Sequence, residues 1–192
     1  MGSEMCIRDR NDREYDDTDA AGTEVTNSFD GKSSTWIVDG VYKWAPGGNA
    51  TDTNFKLQGE YFWRKESGTL TYDIESASLG STALPYSGKP SGGYVQGVYK
   101  FLPKWRAGLR YDRLSSGSQK IDYGSSAVTS SDFQRLDSYN PTRTAFMVDY
   151  TLDEFSRFRL QLAQDKSRPD ATDNQVFLQY IMSLGAHAAH PF

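Results

Sequence analysis

The residues best suited to bind a metal are His187, His190 and Cys6, the only histidines and the only cysteine. Zinc sites usually draw on three or four such ligands. The two histidines stand three apart, so on an extended strand they point to opposite faces. That suits residues near a chain end better than one metal centre, and neither a metal nor a cofactor is expected. A Ser-His-Asp arrangement needs a histidine within reach of both partners, yet both histidines lie beside the C-terminal Phe192. No catalytic residue is expected, and the chain is not read as an enzyme.

Ionic side chains are left, and their spacing is informative. Lys43, Lys56, Arg64, Lys100, Arg106, Arg110, Arg143, Arg157 and Arg159 fall on one side of alternating segments, with Asp39, Glu60, Asp112, Asp149 and Asp165. Rings of Lys or Arg favour anions in a water-filled pore, so these nine bases are the candidate pore-lining residues. Pairing with neighbouring acids, which would only stiffen a wall, is the competing reading.

The elements that must position these residues are strands. Residues 36–44 place Trp36, Val38, Gly40, Tyr42 and Trp44 on one face, with Ile37, Asp39, Val41 and Lys43 on the other. Segments 55–64, 94–101, 105–111, 143–151, 155–165 and a last one from about residue 174 repeat the alternation. A period of two is the signature of a half-buried strand. Seven strands are expected. Short connections carrying Pro, Gly or Asp-Glu alternate with polar stretches at about 65–93 and 113–142. Short turns at one end and long loops at the other characterise outer-membrane barrels.

The cost of burying charge assigns the faces. Arg or Lys facing mid-bilayer costs about 2–4 kcal/mol. The face with Val38, Leu57, Leu109, Val148, Leu160 and Leu178 has no charge at its centre, whereas the opposite face carries the bases and acids above. Apolar outward and ionic inward is therefore expected. Trp44, Trp105, Tyr150 and Phe192 sit beside the short turns or chain end, and Trp36 and Trp63 at the opposite strand ends. Such rings fit the two interfacial girdles of a membrane barrel. A soluble sandwich also alternates, but gives no reason for aromatics to collect at strand ends.

Composition agrees with this reading. The net charge of −4 gives no reason to expect a nucleic-acid partner. No apolar run approaches the roughly 18 residues of a spanning helix. The first ten residues, MGSEMCIRDR, resemble the conceptual translation of a transposase mosaic-end adaptor. Residues 1–10 are therefore expected to be an assembly artefact, which takes Cys6 with it. Residues 11–33, rich in Asp and Glu, are expected to be a polar loop remnant, with one barrel domain over 34–192.

The segment DNQVFLQYIMSLGAHAAHPF, with the preceding EFSRFRLQLAQDKSRPD, resembles the last hairpin of a group of Gram-negative outer-membrane proteins. These are porin-like barrels similar to the phosphate-selective porins, some of them labelled zinc-regulated TonB-dependent receptors. Phe192 resembles the aromatic terminal signal read by the barrel assembly machinery. The resemblance implies an outer-membrane location, lipid and small solutes as partners, a possible homo-oligomer and no covalent cofactor. The expected fold is an all-β antiparallel transmembrane barrel, incomplete at seven strands, with short periplasmic turns and long extracellular loops. The expected function is passive diffusion of small solutes, anions among them. The alternatives are the barrel end of a TonB-dependent receptor for a metal or metal chelate, and a soluble or adhesive β-protein that binds through its loops.

Overall fold

The computed structural model describes residues 2–136 and 138–183, with side chains described from residue 12 onward. Phe192, His187 and His190 lie outside the described residues. The architecture is all-β. Eight strands, β1 (Gly2–Thr18), β2 (Glu24–Trp44), β3 (Asn54–Tyr72), β4 (Thr82–Leu102), β5 (Trp105–Ile121), β6 (Thr142–Thr151), β7 (Ser156–Lys166) and β8 (Asp173–Met182), form one antiparallel sheet in sequence order. β1 and β8 are its edges, and the sheet is not closed into a barrel. Among the described residues no helix is long and apolar enough to cross a membrane, which says nothing of strands.

Three expectations need correction. The sheet has eight strands rather than seven, because β1 precedes the first expected one. Residues 24–33 are not a loop remnant: they form the first half of β2, paired with β1 and, from Ser28, with β3. The two long loops are also shorter than expected. β3 runs on to Tyr72, β4 begins at Thr82 and β5 reaches Ile121.

On β2 and β3 the unexpected lengths have one cause, a reversal of the apolar side. On β2 the even positions 36–44 carry Trp36, Val38, Tyr42 and Trp44, all exposed, and the odd positions carry Asp39 and Lys43. Before Trp36 the even positions become Glu24, Thr26, Ser28, Asp30, Lys32 and Ser34, while the odd ones bury Val25, Asn27 and Phe29. β3 does the same: Phe55, Leu57, Tyr61 and Trp63 give way to Lys65, Ser67, Thr69 and Thr71, while Leu70 and Tyr72 become buried on the other face. The two faces are called below the Trp36 face and the Arg106 face.

The reversed ends enclose a small core. Val25, Phe29, Leu70, Tyr72, Leu84 and Tyr86 point from the Arg106 face towards Val128 and Phe133 of the β5–β6 connection, which folds back over them. Phe133 stands edge-on to Tyr72 at 5.7 Å, and Phe29 edge-on to Tyr86 at 5.5 Å. Gly31 and Gly68 pair beneath Phe29. A Cβ on Gly31 would lie 2.6 Å from the Phe29 ring, so only glycine leaves room for it. Polar ties fasten the cap: Asp132 accepts from Thr129 N (2.8 Å) and Ala20 N (3.1 Å), and Arg135 N donates to Asp17 (3.2 Å).

Candidate functional site

Cross-strand register turns scattered charges into rows. All nine candidate bases share the Arg106 face, since cross-strand register and strand phase link each of them to Arg106. Arg64 is in phase with Lys56 on β3. Lys43 opposes Lys56. Nearest the short turns, Lys100, Arg106, Asp149, Arg159 and Gln179 lie in one line across five strands.

Asp149 is the hub of that line. It is 0% exposed and takes guanidinium groups from both neighbouring strands. Arg106 donates through Nε at 2.8 Å and approaches through Nη2 at 2.7 Å; Arg159 donates through Nε at 2.7 Å and Nη2 at 3.0 Å. Arg157 stands at 3.7 Å. One carboxylate thus neutralises part of a three-arginine cluster, and the remainder is positive. Opposite charges on adjacent strands support the pairing, and charge-assisted bonds to guanidinium are among the strongest polar contacts.

Six residues further along the strands the sign changes. Asp39, Glu60, Tyr94, Asp112, Arg143, Asp165 and Asp173 form one cross-sheet row. Arg143 stands 3.9 Å from Asp165 and donates to Gln175 at 3.1 Å. Arg110 leans into the row, with Nη2 2.7 Å from Asp112, and lies over the Tyr94 ring at 3.9 Å from its centroid. Arg64 pairs with Glu66 at 3.0 Å, and the Lys100 ammonium donates to the Thr51 carbonyl. The bases and acids therefore occupy different heights on one face: Arg106, Arg157 and Arg159 surround Asp149 at one end, where Lys43, Lys56 and Lys100 also lie, and five acids line the other.

The described aromatic candidates, Trp36, Trp44, Trp63, Trp105 and Tyr150, lie on the Trp36 face. Trp36 opposes Trp63, and Trp44 opposes Phe55. Trp105 meets Tyr150 at 4.8 Å, and Phe158 meets Tyr180 at 5.1 Å, continuing the same edge. Among the described residues nothing covers this face: Leu109, Leu160, Val176 and Leu178 are exposed, Leu178 by 80%.

Three features were not anticipated from the sequence. Asp173 belongs to the acidic row; Asp149 is a shared hub; and Lys32, Lys65, Lys89, Arg113 and Lys166 project from strands on the Trp36 face. The last group had a signal, because Lys65 and Arg113 continue the phase of Trp63 and Tyr111.

Two turn carboxylates organise the strand ends beyond the cap. Asp19 accepts from the Ser78 hydroxyl, from Thr23 N at 2.7 Å, from Ala21 N at 2.9 Å and from Tyr72 Oη at 3.3 Å. These donors, Ser78 first, hold it below the usual carboxylate range. Burial pushes Asp73 up, but the amides of Ser78, Ala77 and Gly80 outweigh it and leave the carboxyl below its ordinary value. Among the described residues no group of three or more His, Cys, Asp or Glu is placed to hold a metal ion.

Comparison with known proteins adds little about activity. The chain is similar to an uncharacterized protein of Aquifex aeolicus (strain VF5), 34% identical over 140 residues, which is 71% of this chain. It spans about a quarter of that relative's length (26%). No family model matches the chain, and no solved structure matches it significantly.

Proposed function

We propose that this chain forms wall strands of a porin-like β-barrel of the bacterial outer membrane, through which small hydrophilic solutes diffuse. The carrying observation is the reversal at Trp36, Trp63 and Tyr111. At that height the exposed side of β2, β3 and β5 passes from apolar to polar, and on β2 and β3 the other side passes from charged to apolar. A strand that leaves hydrocarbon for water must change its outward residues in this way. The apolar run from Trp36 to Trp44 spans eight steps, about 26 Å along the strand. A barrel tilt of about 40° reduces that to roughly 20 Å, close to the roughly 25 Å apolar band of outer-membrane barrels. An apolar face this wide left in water would be an association surface, and the open edges of β1 and β8 need partners.

The Arg106 face then becomes the lumen. Its excess of bases around Asp149, near the short turns, gives that end an anion preference, while the acidic row tempers it further along. The solutes are small and hydrophilic, and need no binding pocket to pass. Fractionation of the full chain expressed behind an appended export signal, followed by gels with and without boiling, tests the location. Recovery in the outer membrane with heat-modifiable mobility is expected, and recovery in a soluble fraction overturns the reading. Planar-bilayer recordings test the channel, and a cation preference at every salt concentration refutes the anion assignment.

A further inference from the structure

Beyond the apolar band, the Trp36 face carries a basic row that the channel does not use. Lys65 and Arg113 follow Trp63 and Tyr111 by two residues. Lys32 precedes Trp36 by four residues, Lys89 precedes Gly93 by four and Lys166 follows Leu162 by four. All five side chains are exposed. On β3, β4, β5 and β7 no outward acid of the strand lies beyond the band; outward acids occur on β1 and β2, among them Asp12, Asp16 and Asp30. The opposite edge of the band is different in kind, lined by Trp44, Phe55, Trp105, Tyr150 and Tyr180.

Two details suggest an anion at the row. Lys65 and Lys89 lie between the register pairs Trp63–Ser91 and Glu66–Gly88, and so face each other across β3 and β4. Like charges directly opposed on adjacent strands are destabilising unless a counter-charge joins them. Arg113 opposes Gly93, which has no side chain to cover it. Four residues of β4 and one strand spacing separate this point from Lys89, about 14 Å. That is too far for one phosphate and suited to a headgroup that carries two.

Apolar space lies directly below Arg113. A depression of about 710 Å³ has Gly59 and Gly93 in its floor, Tyr61, Val95 and Tyr111 in its walls and Arg113 at its end. Tyr61 leans over Gly93, where a Cβ would stand 2.9 Å from its ring. A groove with an apolar floor and a cationic end complements a lipid, with acyl chain below and phosphate above.

We propose that Lys65, Lys89 and Arg113, flanked by Lys32 and Lys166, hold a bis-phosphorylated, acylated glycolipid of the outer leaflet, with one acyl chain in the Gly59–Gly93 groove. The proposal rests on the barrel reading. The full chain in detergent micelles is titrated with diphosphoryl lipid A, monophosphoryl lipid A or phosphatidylcholine, and bound lipid is counted by native mass spectrometry. Diphosphoryl lipid A is expected to be retained about tenfold better than the monophosphoryl form, and phosphatidylcholine not at all. The Lys65→Gln/Lys89→Gln and Arg113→Gln variants are expected to lose that preference, whereas Lys104→Gln, the same charge change in the β4–β5 turn at the far end of the band, keeps it. Equal retention of the three lipids, or variants that bind as the parent does, overturns the proposal. Heat-modifiable mobility is measured on every sample. Its presence with failed lipid selection rejects the lipid site alone; its absence in the parent rejects the barrel and the site together.

Discussion

Asp149→Asn provides the sharpest test of the charged face, because a single carboxylate there serves three guanidinium groups. Arg106, Arg157 and Arg159 lie 2.7, 3.7 and 2.7 Å from it. The substitution keeps the shape and removes one negative charge. An ion about 7 Å away in the proposed water-filled lumen would feel that charge as about 0.6 kcal/mol. Screening at 0.1 M salt cuts this to about 0.3 kcal/mol. The change acts with opposite sign on cations and anions, so the anion-to-cation permeability ratio should rise roughly threefold. Reversal potentials across a planar bilayer with a salt gradient measure it directly. The shift should shrink towards nothing at 1 M salt, where the Debye length is about 3 Å. Folding also suffers. Leaving a buried pair unmatched costs about 3–5 kcal/mol, but the arginines here are 22–36% exposed, and solvent reduces this to roughly 1–3 kcal/mol. An unchanged reversal potential in a folded, conducting variant would refute the placement of Asp149 in the ion path. A move towards cations would refute the sign of the argument.

Further outcomes follow from the same geometry. Leu160→Lys on the exposed Trp36 face should cost about 2–4 kcal/mol of folding stability in a bilayer, measured by urea titration in vesicles; a change within about 0.5 kcal/mol, as at a watery surface, would show that the face does not meet lipid. Phe133→Ala removes the buried ring set against Tyr72 and should weaken the cap by about 3–5 kcal/mol, seen as faster proteolysis within residues 122–141 while β6 to β8 stay protected. The cap should also respond to acid. Asp19 and Asp73 have folded pKa values below the ordinary carboxylate range, so their contribution is complete above about pH 4 and is lost as pH falls through the depressed values. Amide exchange at Thr23, Ala77, Ser78 and Gly80 should therefore hold steady from pH 7 to 5 after correction for intrinsic rates, and a loss of protection already at pH 5 would contradict the bonding described.

The alternating segments were legible because one physical rule operates along them. Where the Trp36 face is apolar and the other charged, period two alone yields 36–44, 55–64 and 143–151; β6 matches at both ends, and β2 and β3 match at the short-turn end, Trp44 and Asn54, but run on at the other. The rule fails beyond Trp36 and Trp63, where both signs exchange and the outward residues become Ser, Thr, Asp and Lys. Such stretches have the composition of loops, yet Val25, Phe29, Leu70 and Tyr72 keep strict alternation on the inner side. On β5 even the phase is lost. Gly117, at φ 63, and Ser118 both oppose Lys89, a bulge that inserts one residue. Ile121 therefore joins the cap although its parity differs from that of Arg110 and Asp112. No periodicity read through residue 117 could have placed it.

The Asp149 cluster shows where local information ends and packing takes over. Two-residue and four-residue turns hold β4 against β5 and β6 against β7, and a short turn fixes register. Lys100 beside Arg106 and Asp149 beside Arg159 are consequences of those turns. The pairing of Arg106 with Asp149 is different, because residues 122–141 separate β5 from β6 and impose no register. What aligns these strands lies on the opposite face: Trp105 against Tyr150 at 4.8 Å, Ala107 against Val148, Leu109 against Phe146. A slip of two residues would keep every face correct, yet it would set Arg106 against Met147 or Thr151 and leave Trp105 without its ring partner. Side chains at the edge of the apolar band thus set the alignment that assembles the charge site on the other side of the sheet. For this reason the site could be named residue by residue in the sequence, but its hub could not.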